Sequence, residues 1–172
     1  AVLGSTGSIG CNTLEVIAAA GDTLRLMAIS AHSKLDVLLQ QAQQFEPKWV
    51  AATDTDAGEK FDWSDLPTSS QLVVGGDGPG QIVTDPEIDV VVAAIVGAAG
   101  LQSTWAAIEA GKTVALANKE TLVMAGPLVM DRARETGATV LPARRSAVIS
   151  RRFSSAMPAC TATNFATSSS TT

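Results

Sequence analysis

Seven residues near the start of the chain, Gly4-Ser5-Thr6-Gly7-Ser8-Ile9-Gly10, limit what can be built around them. They follow the apolar Ala1-Val2-Leu3, which reads as the end of a buried strand. They precede residues 13–20, whose apolar spacing is helical and which stop at Gly21. Glycines at G-x-x-G-x-x-G spacing let a strand turn sharply into a helix and leave the backbone open to close approach. The free N–H groups at a helix N-terminus attract anions, phosphates above all. Thr6 and Ser8 add hydroxyl donors. Ordinary tight turns also use glycine, so the pattern gains weight from its setting. Strand, loop, helix and a second strand over residues 24–30 make a βαβ unit, in which such a loop cradles the pyrophosphate of a dinucleotide.

The same alternation continues. Residues 34–45 repeat apolar side chains at helical spacing and stop before Pro47, and residues 49–52 are a short strand. Residues 54–81 are rich in turn formers and read as irregular, with a glycine-rich loop over 75–80. Strands follow at 89–94, 113–117 and 139–141, separated by helices at 101–110 and 122–135. Strands alternating with helices predict an α/β fold, a Rossmann-like doubly wound parallel sheet.

The end of the second strand bears on which dinucleotide fits. NAD-specific domains usually place a carboxylate there to hold the ribose hydroxyls. Here the residues are Ile29-Ser30-Ala31-His32-Ser33-Lys34, and the next acid along the chain is Asp36. Hydroxyls and a cation accept a 2′-phosphate, so Ser30, Ser33 and Lys34, with His32 nearby, favour NADP. A plain surface turn and helix start is the competing reading.

Two later segments are distinctive. Ala93-Ala94-Ile95-Val96-Gly97-Ala98-Ala99-Gly100 puts small residues at the end of a central strand, where a flat ligand could lie against backbone or a helix could pack closely. Ala115-Leu116-Ala117-Asn118-Lys119-Glu120 ends an apolar strand abruptly in an amide, a cation and a carboxylate. That edge is where open α/β sheets place ligands. The glycine loop and these two segments, the last continued by Thr121-Leu122-Val123, together resemble the N-terminal domain of the 1-deoxy-D-xylulose 5-phosphate reductoisomerase family over residues 1–142. The resemblance implies that Thr6, Gly7, Ser8, Ile9, Asn118 and Glu120 contact NADPH and that Lys119 faces the substrate. It also implies that His32, Ser33 and Lys34 form the 2′-phosphate loop, with residue types that differ from the family's commonest form. The family reduces and rearranges 1-deoxy-D-xylulose 5-phosphate to 2-C-methyl-D-erythritol 4-phosphate, in non-mevalonate isoprenoid synthesis. Mg²⁺ or Mn²⁺ serves as Lewis acid, and the intact enzyme is a homodimer. Other readings are a non-catalytic NADP-binding module and another NADP-dependent dehydrogenase, such as a homoserine dehydrogenase relative.

Composition agrees and also marks a break. Hydrophobic residues are 46% of the 172, enough for a core, and the net charge of −5 argues against a nucleic-acid or anionic-membrane binder. No apolar run reaches a membrane span of about 18 residues. No secretory signal is visible, so the cytoplasm is the expected compartment. The first residue is not Met, and a few residues are expected upstream. Cys11 and Cys160 have no metal-ligand spacing, and Cys11 reads as a small packing residue. All 17 acidic residues precede residue 143, whereas residues 143–172 hold four arginines and twelve Ser or Thr. The resemblance leads to the expectation of Asp-Ser-Glu metal ligands soon after Leu141-Pro142, but the sequence there is Ala143-Arg144-Arg145-Ser146. Residues 1–142 are therefore read as the NADP(H)-binding domain and 143–172 as a non-matching, disordered tail. Phosphosugar rearrangement needs its oxygens fixed and water excluded. Purified alone, this chain should not oxidise NADPH when given 1-deoxy-D-xylulose 5-phosphate with Mg²⁺ or Mn²⁺, measured as NADPH absorbance over time against a full-length relative. Metal-dependent oxidation above background would overturn that expectation.

Overall fold

A computed structural model describes residues 1–117 and 119–142, with side chains described except at 119–125 and at 142. The non-matching tail and Asn118 lie outside the described residues. Seven strands form one parallel sheet in the order β4-β3-β2-β1-β5-β6-β7. They are β1 (Val2–Leu3), β2 (Ala28–Ala31), β3 (Trp49–Ala52), β4 (Gln71–Val74), β5 (Val90–Ala93), β6 (Thr113–Leu116) and β7 (Thr139–Pro142). The helices are α1 (Ser8–Ala20), α2 (Leu35–Phe45), α3 (Thr55–Lys60), α4 (Gly78–Ile82), α5 (Ala99–Glu109) and α6 (Lys119–Thr136).

The chain winds outward from β1 in both directions. Right-handed crossovers then put the helices of the two halves on opposite faces of the sheet. Strand side chains alternate between those faces. Val2, Ile29, Val50, Val92 and Ala115 share one core with Leu14 of α1 and Leu38 of α2. Leu3, Ala51, Val91, Val114 and Leu116 share the other with Ile82, Ile108 and Val129. Burial on both faces explains why the central strands are nearly continuous apolar runs. Val90, at the outer start of β5, is the exposed exception. Among the described residues no helix is long and apolar enough to cross a membrane.

Most elements fall where the sequence pattern places them, and the differences have physical causes. The stretch read as irregular, residues 54–81, contains α3, edge strand β4 and the start of α4. β4 pairs on one side only, through β3, and its side chains are half-buried or exposed, so its pattern carries little signal among the surrounding turn residues. α4 is built from Gly-Pro-Gly-Gln-Ile, against local propensity; Pro79 stands in its first turn and Ile82 anchors it in the core. α1 begins at Ser8, five residues before the helical stretch read from the sequence at 13–20, which shortens the glycine loop to residues 4–7. β2 begins at Ala28, after a 3₁₀ turn at Gly21–Thr23.

The N-terminal edge of the sheet is tied by one carboxylate. Asp85, before β5, accepts from Trp49 Nε1 at 2.8 Å, from Lys48 Nζ at 2.8 Å and from the Glu87 N–H at 2.9 Å. Lys112, before β6, donates to the Asp85 carbonyl oxygen at 2.9 Å. The hydrogen bond from Lys48, with those from Glu87 N–H and Trp49, lowers the Asp85 pKa from 3.8 to about 2. Because the folded value is depressed, this contribution to stability is complete above the ordinary aspartate range and is lost as pH falls from near 3.8 through about 2. Asp85→Ala should destabilise by about 1–3 kcal/mol near neutral pH, since the part-buried Trp49 indole N–H and the Lys48 ammonium lose their shared acceptor. Urea unfolding against pH should show that the variant loses less stability than the parent across that acidic window. Equal acid sensitivity would show that Asp85 is not responsible.

Candidate functional site

Three loops leave the C-terminal edge of the sheet side by side. Leu3 lies opposite Ser30 on one side and Ala93 on the other, so residues 4, 31 and 94 emerge at one level. Here the strand order reverses about β1, the place where open α/β sheets leave a crevice. Gly4 has φ +79°, and a Cβ on it would stand 2.8 Å from the Ala94 carbonyl oxygen. Gly10, inside α1, packs on the loop so closely that a Cβ would meet the Gly4 oxygen at 2.4 Å and Ser5 Cα at 2.5 Å. Gly7 differs from both. Its φ of −84° suits any residue, and a Cβ would find nothing nearer than the Gly4 oxygen at 3.4 Å. The fold does not demand glycine at position 7; what its absent side chain provides is open space.

That space lies at the N-terminus of α1. Gly7 caps the helix with no side-chain bond, and no acidic residue stands in the first turn. The Gly7 N–H donates to the Gly4 carbonyl at 3.1 Å, but among the described residues nothing accepts from the N–H groups of Thr6, Ser8 or Ile9. Free donors at the positive end of a thirteen-residue helix suit an anion. The cleft beside them has a volume of about 210 Å³. Gly4, Thr6 and Gly7 line it from the first loop, Ser30 to Lys34 from the second, and Ala94, Ile95 and Val96 from the third.

The structure thus brings Thr6, Gly7, His32, Ser33 and Lys34 to one cleft. Ser8 and Ile9 stand exposed in the first turn of α1, beyond its lining. Lys119 and Glu120 fall in the first turn of α6, and their side chains lie outside the described residues, as does Asn118. The Ala117 N–H donates to the Ala93 carbonyl at 3.0 Å, which keeps the end of β6 at the same edge. Ser30 needs a correction as a phosphate contact. It is fully buried, and its hydroxyl oxygen accepts from the Gly4 N–H at 3.0 Å, so it holds the loop.

Thr53 and Asp54 escaped the sequence reading because they follow a different strand. Ala31 pairs with Ala52, which brings the residues after each together. Thr53 Oγ1 lies within hydrogen-bond distance of both His32 Nδ1, at 3.1 Å, and the Ala31 carbonyl oxygen, at 3.3 Å. Asp54, the N-cap of α3, places Oδ2 3.9 Å from His32 Nε2. A carboxylate therefore stands on the rim of the second loop, although none follows β2 in sequence before Asp36. A larger hollow, about 470 Å³, lies toward the opposite edge between Ile17, Val90 and Leu141. It lacks the converging loops and free helix N-terminus of the first.

The family model for 1-deoxy-D-xylulose 5-phosphate reductoisomerase matches residues 1–126. The chain belongs to this family. A reductoisomerase from Psychrobacter sp. (strain PRwf-1) is 49% identical over 146 residues, covering 83% of this chain and 35% of its own length. The Zymomonas mobilis reductoisomerase solved in complex with NADPH superposes with a TM-score of 0.76 at 38% identity, covering 82% of this chain and 37% of that one. A DOX-P reductoisomerase solved with NADPH, fosmidomycin and magnesium gives a TM-score of 0.75 at 43% identity, covering 82% of this chain and 35% of that one. The chain therefore spans little more than a third of the length of the curated relatives it matches. Membership in the reductoisomerase family displaces the reading as a homoserine dehydrogenase relative.

The reductoisomerase loop depends on the absence of a side chain at position 10. Gly10→Ala should cost about 1–3 kcal/mol, because backbone rather than a movable side chain stands in the way. Gly7→Ala should cost well under half as much in stability. Thermal unfolding of the two variants checks the order; equal losses would mean that the loop yields more readily than its contacts imply.

Proposed function

We propose that residues 1–142 are the NADPH-holding part of a reductoisomerase that converts 1-deoxy-D-xylulose 5-phosphate to 2-C-methyl-D-erythritol 4-phosphate. The observation that carries this reading is the uncapped N-terminus of α1 opening on the cleft shared with the His32-Ser33-Lys34 loop. Free N–H groups of Thr6, Ser8 and Ile9 would bind the pyrophosphate, with the Thr6 and Ser8 hydroxyls beside them. Gly7 leaves room for its approach. Ser33, Lys34 and His32 would take the adenosine 2′-phosphate, and Thr53 orients the His32 ring. Ala94 to Val96 would form the wall on the β5 side. Asn118 and Glu120 would contact the cofactor further along the same edge, with Lys119 toward the phosphosugar. Bound NADPH supplies the hydride of the reduction.

The intact family member is read as a cytoplasmic homodimer using Mg²⁺ or Mn²⁺. Among the described residues no group of three or more His, Cys, Asp or Glu is placed to hold a cation. An NADP-binding module without catalysis of its own is the second reading, and it shares the same cleft.

Cofactor preference tests the reading directly. Fluorescence titration of the full chain should show NADPH binding at least about tenfold more tightly than NADH, the scale of one charge-assisted phosphate contact. Lys34→Glu should weaken NADPH and leave NADH nearly unchanged. Equal affinities for the two cofactors, or tighter NADH, would defeat the assignment of the second loop.

A further inference from the structure

Beneath the glycine loop lies a buried polar contact that the proposed function does not use. Gln41 sits on α2, more than 90% buried, one turn before that helix ends at Phe45. Its Nε2 donates to the Ser5 carbonyl oxygen at 3.1 Å, and its Oε1 accepts from the Ser5 hydroxyl at 2.7 Å. A carbonyl can only accept, so the side-chain amide has one consistent orientation and the Ser5 hydroxyl must be the donor to Oε1. The Ser5 N–H is taken as well, by the Ser30 carbonyl at 2.8 Å. The Cys11 thiol of α1 is a second, weaker donor to the Ser5 carbonyl at 3.5 Å, so every polar group of Ser5, itself fully buried, is satisfied.

The consequence lies on the other side of the peptide plane. In a trans peptide the N–H points opposite to the preceding C=O. Gln41 and β2 lie under the loop, so a Ser5 carbonyl drawn toward Gln41 turns the Thr6 N–H the other way, toward the cleft. That is one of the donors with no acceptor among the described residues. A helix side chain at this position normally has only to be compatible with packing. This one makes two directed bonds to a single residue of the neighbouring loop. α2 also begins at Leu35, straight after the His32-Ser33-Lys34 loop, so one helix touches both phosphate subsites.

We propose that Gln41 is a positioning residue for dinucleotide binding: it fixes the Ser5–Thr6 peptide so that the Thr6 N–H meets the pyrophosphate, and it ties that subsite to the loop at the start of α2. This rests on the NADPH reading above. Without the amide, the Ser5 carbonyl keeps only the weak Cys11 thiol donor at 3.5 Å among the described residues, and the Thr6 N–H is held less firmly before ligand arrives. Losing preorganisation appears in affinity, whereas losing packing appears in stability.

Gln41→Glu gives a test that a packing role would not pass. A protonated carboxyl has the shape of the amide; its O–H can donate to the Ser5 carbonyl and its C=O can accept from the Ser5 hydroxyl. An ionised carboxylate only accepts, and it would face the Ser5 carbonyl with no proton between them. Among the described residues, the titratable group facing Gln41 is the Cys11 thiol of α1, 4.0 Å from Nε2. The groups reached from the β1 loop and β2, Ser5 and Ser30, are neutral.

The experiment uses the full chain with NADP⁺ as probe, titrated calorimetrically between about pH 5 and pH 8. Circular dichroism confirms that each variant is folded at the working temperature. Affinities are read relative to the parent at each pH, which cancels titration of the cofactor's own 2′-phosphate. Gln41→Leu should bind about ten- to a hundredfold more weakly at every pH, while Gln41→Glu should be comparably weak near neutrality and approach the parent as pH falls. Parent-like affinity in folded Gln41→Leu, or a pH-independent ratio for Gln41→Glu, overturns the role of Gln41 and leaves the NADPH reading intact. A parent chain that binds neither NADP⁺ nor NADPH overturns both.

Discussion

The glycine loop has to pass the end of β5 at contact distance, and the site is arranged around that requirement. β1 is only two residues long, yet it is hydrogen-bonded on both sides, to β2 and to β5. With so short a strand, the loop that follows cannot swing away before turning. It must run against the Ala94 carbonyl, which Gly4 permits by having no Cβ, and then fold back under α1, which Gly10 permits in the same way. The cleft is the space left when a central strand ends early between two neighbours whose loops diverge.

The two edges of the sheet use different chemistry. At the N-terminal edge a buried carboxylate gathers an ammonium, an indole N–H and a backbone N–H, so its charge is satisfied within the chain. At the C-terminal edge the interactions under the loop are neutral, among Ser5, Ser30 and Gln41, and the donors left free face outward. An internal carboxylate near α1 would compete with an incoming phosphate for the same N–H groups. Neutral partners hold the loop and leave those N–H groups unoccupied among the described residues. The rim of the second loop carries Lys34 and His32 together with the Asp54 carboxylate, which stands 3.9 Å from His32 Nε2.

What the sequence makes legible follows from what each residue's signal depends on. β3 is bounded correctly at Trp49 and Ala52 because an apolar run between a helix stop and an acidic turn has few other readings. The family resemblance rests on three segments that all reach the same edge of the sheet, and the match over residues 1–126 agrees with it. β4 is hidden because an edge strand buries little and its alternation is diluted. Thr53 and Asp54 are hidden because their proximity to His32 is created by strand register, not by sequence distance. Gln41 is hidden for a third reason. In the run Leu38-Leu39-Gln40-Gln41-Ala42 it looks like one more polar residue of an amphipathic helix, and only the path of another loop shows that it points inward.

The three glycines of the loop show why such a motif is both informative and ambiguous. Two of them serve the chain itself: Gly4 and Gly10 remove side chains that would collide with backbone. A tight strand-to-helix turn in a protein that binds nothing could require both. Gly7 belongs to a different class, because its conformation and surroundings would accept a side chain. A residue free to vary on structural grounds, placed at an uncapped helix N-terminus and lining a cleft, is explained by the proposed ligand and not by the fold. The phosphate binding proposed for the motif therefore rests on its middle glycine and on the N–H groups on either side of it. The outer two bring that position to the crevice beside β1.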